Sequence, residues 1–222
     1  MSKYPRTPHL PFSPEIHSDD KVCNLVDLKR IIDDQLEMVI LEKYDGGNTM
    51  LDNPGVFARS HIQPTACPTF DYIKNVHYYP NRLEIAASNI QVFGENMFAI
   101  HSIEYTELTD YFYVFNILEK RSDRFMSYDS MVGWASNHGM QTVPLIYSGK
   151  IPSLVWLEKF LKDEMLKPST LGGEREGFVI RLRKSFNQTD FSKYVFKYVR
   201  AGHVQTDEHW SKNWKQAPLK KV

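Results

Sequence analysis

Apolar positions first recur at helical spacing between Val22 and Ile32, where Val22, Leu25, Val26, Leu28, Ile31 and Ile32 follow the helical period. Ser18, Asp19 and Asp20 precede the segment as candidate caps, so a helix is predicted there. Met38 to Leu41 is a short, partly β-branched apolar run, read as a strand that delivers Lys43 at its end. A second helix is predicted from about Tyr128 to Ser136, stopped near Gly139. A third follows Pro152 and Ser153, with Leu154, Leu157, Phe160, Leu161 and Met165 on one face.

The remainder reads as strand. "NIQVFGENMFAIHSIEY", "YFYVFNIL", "EGFVIRLR" and "SKYVFKYVR" are rich in β-branched and aromatic residues and are separated by turn formers or charged stretches. There is no regular βαβ alternation, so the expected class is α+β with mainly antiparallel sheets flanked by helices. "TLGGERE", Thr170 to Glu176, is expected to be a mobile loop, because paired glycines and mixed charges offer little to bury. Four prolines between Pro5 and Pro14 hold an N-terminal arm, residues 1–18, extended.

A chain of 222 residues is long enough to bury a substantial core. Its apolar runs are too short to span a bilayer, and its first residues carry no continuous apolar signal segment, which points to a cytoplasmic protein without a membrane partner. Cys23 and Cys67 fit that compartment, as buried or idle thiols rather than a disulfide framework or zinc site. Basic and acidic residues balance at 27 each, so any polyanion must be bound locally and with salt sensitivity. One local candidate is the stretch from Arg181 to Arg200. It holds Arg181, Arg183, Lys184, Lys193, Lys197 and Arg200 against the single acid Asp190, interleaved with Phe186, Phe191, Tyr194, Phe196 and Tyr198. The stretch reads either as a nucleic-acid surface or as an amphipathic strand pair with solvated cations.

The chemistry concentrates in "LEKYDGGNTML", Leu41 to Leu51. A lysine amine is nucleophilic only when deprotonated, and nearby cations or desolvation lower its pKa. Asp45 is placed to orient a metal or a substrate hydroxyl, while Gly46 and Gly47 let the backbone approach a bulky ligand. The four positions K-x-D-G alone fit a surface β-turn with an incidental lysine better than a reactive site.

In context, "EKYDGGNT" resembles motif I of the covalent nucleotidyltransferases, the superfamily of polynucleotide ligases and RNA capping enzymes, in the form found in ATP-dependent RNA ligases. Supporting stretches come in that family's order: "FARSH", "FGENMFAIHSIEY", "YFYVFNI", "EGFVIR" and "FKYVRAGHVQTDEHW". The opening "YPRTPHLPFSP" with Asp19 and Asp20 is also similar to small bacterial and phage RNA ligases. The resemblance covers nearly the whole chain and implies a single adenylyltransferase domain over residues 1–222, without the C-terminal OB domain of DNA ligases and capping enzymes.

The resemblance implies ATP and Mg²⁺ or Mn²⁺ as cofactors, and RNA with 5′-phosphate and 3′-hydroxyl ends as partner, prepared where needed by an end-healing kinase/phosphatase in RNA repair. It implies that Lys43 attacks the α-phosphorus to give lysyl-AMP, and that AMP then passes to the RNA 5′-phosphate before a 3′-hydroxyl closes the phosphodiester. Lys197 would contact the α-phosphate. Glu95 would accept the ribose 2′-hydroxyl, Phe115 would stack on adenine, Arg59 would reach the ribose or the reacting nucleotide, and Asn48 would lie close to the ribose or phosphates. Glu42 joins this nucleotide-binding set. Glu176, with Asp45, would hold the metal. Val199 stands where many ligases have a second motif V lysine, so Arg200 is expected to supply that cation. His203 to Trp210 is expected to serve the edge of the site. A DNA ligase, a capping-type enzyme and a non-catalytic nucleotide- or RNA-binding module are the alternatives.

Overall fold

The computed structural model describes residues 3–59, 61–202 and 214–220, so the stretch His203 to Trp210 lies outside the described residues. The first helix, α1 (Leu25–Asp33), starts later than the apolar spacing alone predicts. Asn24, not the upstream Ser18, Asp19 or Asp20, is its cap, with Oδ1 accepting from the Val26 amide at 2.9 Å. The strand expected after it is β1 (Glu37–Lys43), which ends on the lysine. A hairpin follows, β2 (Gly47–Asp52) and β3 (Gly55–Ala58).

The next segment departs from the all-strand expectation. Ile73–Tyr78 forms a π-helical turn that runs into α2 (Tyr79–Ser88), with Pro80 in its first turn, where the missing amide costs nothing. The aromatic run Tyr72, Tyr78 and Tyr79 hides the helical period, and only Ile85 of α2 is buried. Then come β4 (Ile90–Asn96), β5 (Phe112–Glu119), β6 (Arg124–Phe125), α3 (Tyr128–Asn137), β7 (Gln141–Thr142), β8 (Leu145–Lys150) and α4 (Leu154–Met165). Residues 97–111, expected as strand up to Tyr105, form no named strand. Ser127 and Ser153 cap α3 and α4 by accepting from the Ser130 and Trp156 amides, and Gly139 follows α3 at φ +66°. The chain closes with β9 (Gly177–Leu182), β10 (Phe186–Asn187), α5 (Phe191–Tyr194) and β11 (Val195–Val199).

These strands make two sheets. The first has the order β11-β9-β1-β8 and is antiparallel throughout; the second has seven strands, ordered β10-β6-β5-β4-β2-β3, with β7 added in parallel to β5. Alternation along β1 turns Met38 and Ile40 into a core shared with Leu28 and Ile31 of α1 and Leu157 and Leu161 of α4. Val39 and Leu41 face the other way, into a cluster with Tyr44, Met97, Tyr105 and Tyr113. α2 and α3 cover the second sheet through Ile85, Met131 and Ala135 packed on Val92, Val114 and Ile117. The result is an α+β arrangement of mainly antiparallel sheets flanked by helices. Among the described residues no helix is long and apolar enough to cross a membrane.

Packing overturns one local expectation and decides between the two readings of another stretch. The loop from Thr170 to Glu176 is ordered: Leu171, Arg175 and Glu176 are buried, and Arg175 bonds the Glu164 carbonyl at 2.8 Å while it faces Glu42. The glycines there, at φ +75° and +78°, let the chain reverse, while the charged side chains find buried partners. In the basic and aromatic stretch, Phe186, Phe191, Phe196 and Tyr198 are core residues, Arg183 pairs with Asp129 and Lys193 with Asp190. The amphipathic strand reading therefore holds, and the aromatics are no stacking platform.

Gly177 pairs with Lys43 of β1 on one side and Val199 of β11 on the other. A Cβ there would press into the Tyr198 carbonyl oxygen, a backbone atom that cannot rotate aside. Gly177→Ala is expected to destabilise the protein by about 2 kcal/mol, which lowers Tm by roughly 4–8 °C. A melting curve superimposable on wild type would refute this account of the strand contact.

Candidate functional site

Between the two sheets lies a cavity of about 690 Å³. The first sheet contributes Leu41 and Lys43 of β1, Val179 and Arg181 of β9, and Lys197 of β11. The second contributes Asn48, Ala58, Glu95 and Phe115, and Arg59 follows β3 at its edge. Antiparallel register explains the convergence: Lys197 is paired with Val179, which is paired with Leu41, and Asn48 is paired with Glu95. Same-face residues on neighbouring strands therefore point into one space.

Lys43 ends β1 and is partly exposed to the cavity. Its Nζ lies 2.5 Å from Oε1 of Glu176, which stands behind it, almost fully buried, immediately before β9. Burial alone would lower the Lys43 pKa, but the carboxylates of Glu176, Glu95 and Asp45 outweigh it and raise the pKa above the ordinary lysine value. The resting lysine is thus held as an ammonium, because the carboxylates around it outweigh its desolvation. Glu95 responds in the opposite sense: burial pushes its carboxyl up to about 8, with Glu176 and Asp45 adding to the rise and Lys43 and Arg59 opposing it.

Lys197 is lowered, first by burial and then by the Lys43 and Arg59 charges, while Asp20 at 3.6 Å pulls it back. Arg181 is fully buried and forked, with Nη1 donating to Asn116 Oδ1 at 2.9 Å and Nη2 to the Met126 carbonyl at 2.6 Å. Burial lowers its pKa to about 10. Phe115 sits partly buried, with Tyr4 edge-on at a centroid distance of 5.1 Å. The Tyr4 hydroxyl accepts from Asn116 Nδ2 at 3.2 Å.

Two sequence-assigned residues, Asp45 and Arg200, are absent from the cavity wall, and a third, Glu42, borders the cavity with its carboxylate committed elsewhere. Asp45 Oδ2 accepts from the Ser102 and Ile103 amides at 2.7 and 2.9 Å, and Asp45 is not among the residues lining the wall. Its place in the sequence suits a metal ligand, but this oxygen is committed to ordering the segment after β4. Glu42 is next to Lys43 in sequence and borders the cavity, yet β alternation sends its carboxylate to the Thr170 amide at 3.2 Å and to Arg175. It therefore orders the loop that carries Glu176. Arg200 pairs with Glu174, and it too is absent from the cavity wall. Its position one residue past Val199 puts it off the Lys197 face, so it does not replace a second motif V lysine.

Other residues enter the site without having been marked as site residues in the sequence: Tyr4 and Arg6 of the arm, Asp20, His61, His101 and Arg181. Among these, Asp20 belongs to the quoted Asp19–Asp20 pair and Arg181 to the basic stretch. Tyr4 and Arg6 lie in the quoted "YPRTPHLPFSP", His61 in "FARSH" and His101 in "FGENMFAIHSIEY", but no role attaches to them there. Cys67 also lines the cavity, as a free thiol 3.1 Å from Thr69 Oγ1.

Comparison with known proteins adds the following. No curated protein sequence matches the chain. Among solved structures, a Naegleria gruberi RNA ligase with PPi is similar at 16% identity and TM-score 0.59, over 94% of this chain and 62% of that one. A lysine-to-alanine mutant of the Naegleria gruberi RNA ligase with ATP and Mn matches at 15% identity and TM-score 0.56, over 92% and 63% of the two chains. A lysine-to-methionine mutant with AMP and Mn matches at 15% and 0.56, over 91% and 62%. The chain thus spans about three fifths of the length of these structures, and at such identities the likeness establishes a shared fold. A family model described as RNA ligase matches residues 36–199, from the residue before β1 to the end of β11, and on that match the chain belongs to the RNA ligase family.

Proposed function

We propose that the protein is an ATP-dependent RNA ligase that joins 5′-phosphate and 3′-hydroxyl ends through lysyl-AMP on Lys43 and an adenylylated RNA end. The observation that carries this reading is the convergence of Lys43, Glu95, Phe115, Arg59 and Lys197 on one cavity of about 690 Å³, a volume suited to a nucleotide. The solved Naegleria gruberi ligases with ATP or AMP and Mn support the choice of nucleotide and metal.

Phe115 and Val179 line the cavity from different sheets and offer the base an apolar slot. Glu95 accepts from the ribose 2′-hydroxyl, and Arg59 and Asn48 lie along the same wall for ribose and phosphates. Lys197 neutralises the charge that develops on the α-phosphate as pyrophosphate departs, which is where a fixed cation accelerates phosphoryl transfer. Lys43 Nζ forms the new P–N bond and must first lose its extra proton, so anything that weakens the carboxylate field around it promotes attack.

One carboxylate, that of Glu176, lies behind the cavity wall where it would meet a hard divalent cation. The Lys43 ammonium already stands as a positive charge against Glu176, in the field of Glu95, and Glu176 is the carboxylate that would hold Mg²⁺ or Mn²⁺. No group of three or more His, Cys, Asp or Glu side chains suited to a metal occurs among the described residues, so Glu176 would be a single protein ligand and water and phosphate oxygens would have to supply the rest. When bound, such an ion supplies positive charge that offsets the carboxylates and the phosphate oxygens.

Incubation with α-labelled ATP and Mn²⁺, after pyrophosphate treatment to strip pre-bound AMP, is expected to leave label that survives denaturation. Lys43→Ala is expected to abolish it. Because the carboxylates raise the Lys43 pKa, the labelling rate should climb as pH rises above neutrality. Absence of label with ATP, GTP or NAD would sink the reading in favour of a binding module, and label from GTP alone would point to capping chemistry.

Glu95 supplies a stability test. Its carboxyl is raised from 4.5 to about 8, so across that window the folded state holds a proton that the unfolded state has lost. Stability contributed here is present at low pH and is lost as pH climbs towards 8. Glu95→Gln should therefore melt about 2–4 °C above wild type at alkaline pH, with little gain near pH 4.5, and should label roughly tenfold more slowly. An equal gain at both pH values would contradict the assigned burial of the charge.

A further inference from the structure

The N-terminal arm docks on the edge of the first sheet and brings a carboxylate to the phosphate-facing lysine. Pro8 to Leu10 run beside β11: the Lys197 amide donates to the Pro8 carbonyl at 2.9 Å and the Leu10 amide to the Lys197 carbonyl at 2.8 Å. On its other side His9 pairs with the segment at Lys21 to Cys23, through His9 N to Lys21 O at 2.7 Å and Cys23 N to His9 O at 2.8 Å. This three-stranded stack sets Asp20 on the cavity wall, its side chain largely buried.

Side chains then close a circuit. The Val199 amide donates to Ser13 Oγ at 3.0 Å, and Ser13 Oγ lies 3.2 Å from His9 Nδ1. His9, 1% exposed, places Nε2 at 3.3 Å from Asp20 Oδ2, an oxygen that also accepts from the His17 amide at 3.1 Å. Asp20 Oδ1 faces Lys197 Nζ at 3.6 Å, with Arg6 Nη2 further off at 3.9 Å. The path leaves β11 at Val199 and returns to it at Lys197. Asp20 is thereby fixed by the backbone of the strand whose lysine it meets.

The distances distinguish the two ends of this path. The amide contact to Asp20 is an ordinary hydrogen bond, whereas 3.6 Å exceeds the usual N–H···O range of about 2.7–3.2 Å. Asp20 is held firmly and Lys197 loosely. A lysine has four rotatable side-chain bonds and loses much rotamer freedom when confined. A fixed counter-charge confines it before a ligand arrives and releases it without breaking a short bond.

We propose that Asp20, braced by His9, is the positioning residue for Lys197: it holds the ammonium on the cavity wall until the α-phosphate replaces the carboxylate as its partner. This rests on the reading of Lys197 as the phosphate contact. Lys197 acts most strongly on charge that develops as pyrophosphate leaves, so misplacing it shows in the rate of transfer more than in nucleotide affinity.

Asp20→Asn keeps the side-chain size and an oxygen for the His17 amide while removing the charge. Single-turnover formation of lysyl-AMP in the full chain is expected to slow about tenfold, with half-saturating ATP moving less than about threefold. In a Lys197→Met background the same change is expected to cost less than about twofold, because its route of action is gone. A shape role alone would slow both backgrounds equally, and that result, or a fully active Asp20→Asn protein, would overturn the proposal. A wild type that takes no label would remove the ligase reading and this one together, whereas a labelled wild type with an unaffected Asp20→Asn would remove this one alone.

Discussion

The pairing of β1 with β9 is the constraint on which the site depends. Lys43 is paired with Gly177, so Glu176, one residue earlier, comes level with the end of β1 and its carboxylate meets the ammonium. Shifting that register by one residue would turn Lys43 to the other face and leave Glu176 without its cation. A buried carboxylate without a counter-charge is costly, so the ion pair helps to specify the alignment that positions it. Glu42 contributes from the opposite face of the same strand, holding the loop that leads to Glu176 through the Thr170 amide and Arg175. Successive residues of one strand thus serve the reactive face and its support.

The electrostatic character of the cavity follows from that arrangement. Carboxylates and cations are interleaved across it, and each alters its neighbour: Lys43 is held protonated, Glu95 is held towards its neutral form, and Lys197 is drawn down by burial. Such mutually perturbed groups are characteristic of reactive sites, where charges must be redistributed when a ligand enters. The balanced net charge of the chain conceals this concentration.

Much of the core framework was legible in the sequence. α3 and α4 are legible because each buries one face and is capped by a serine, and β1 and β9 because their two buried faces leave short continuous apolar runs. The segment around α2 was not, since aromatic residues mask its period. Within the site, Lys43, Asn48, Arg59, Glu95, Phe115 and Lys197 were marked by their motifs and do share the cavity. Asp45 and Arg200, expected beside Lys43 and Lys197, are committed to other partners and leave the cavity wall, while Glu42 borders the cavity with its carboxylate turned to the Thr170 amide and Arg175. Tyr4, Arg6 and Asp20 required knowledge of where the arm docks, a long-range fact that no local pattern encodes.

The docking of that arm also bears on how the molecule folds. Ser13 and Val199, hydrogen-bonded to each other, are 186 residues apart in the chain. Contacts of such separation exact a large loop-closure entropy and tend to form late. During synthesis the helices and the hairpin of the second sheet can assemble while β11 is still to be made, but Lys197 and its partners on the arm cannot meet until nearly the whole chain is present. The pairing of the arm with β11 is therefore also the step that completes the cavity, so a chain without β11 has no finished cavity to fill.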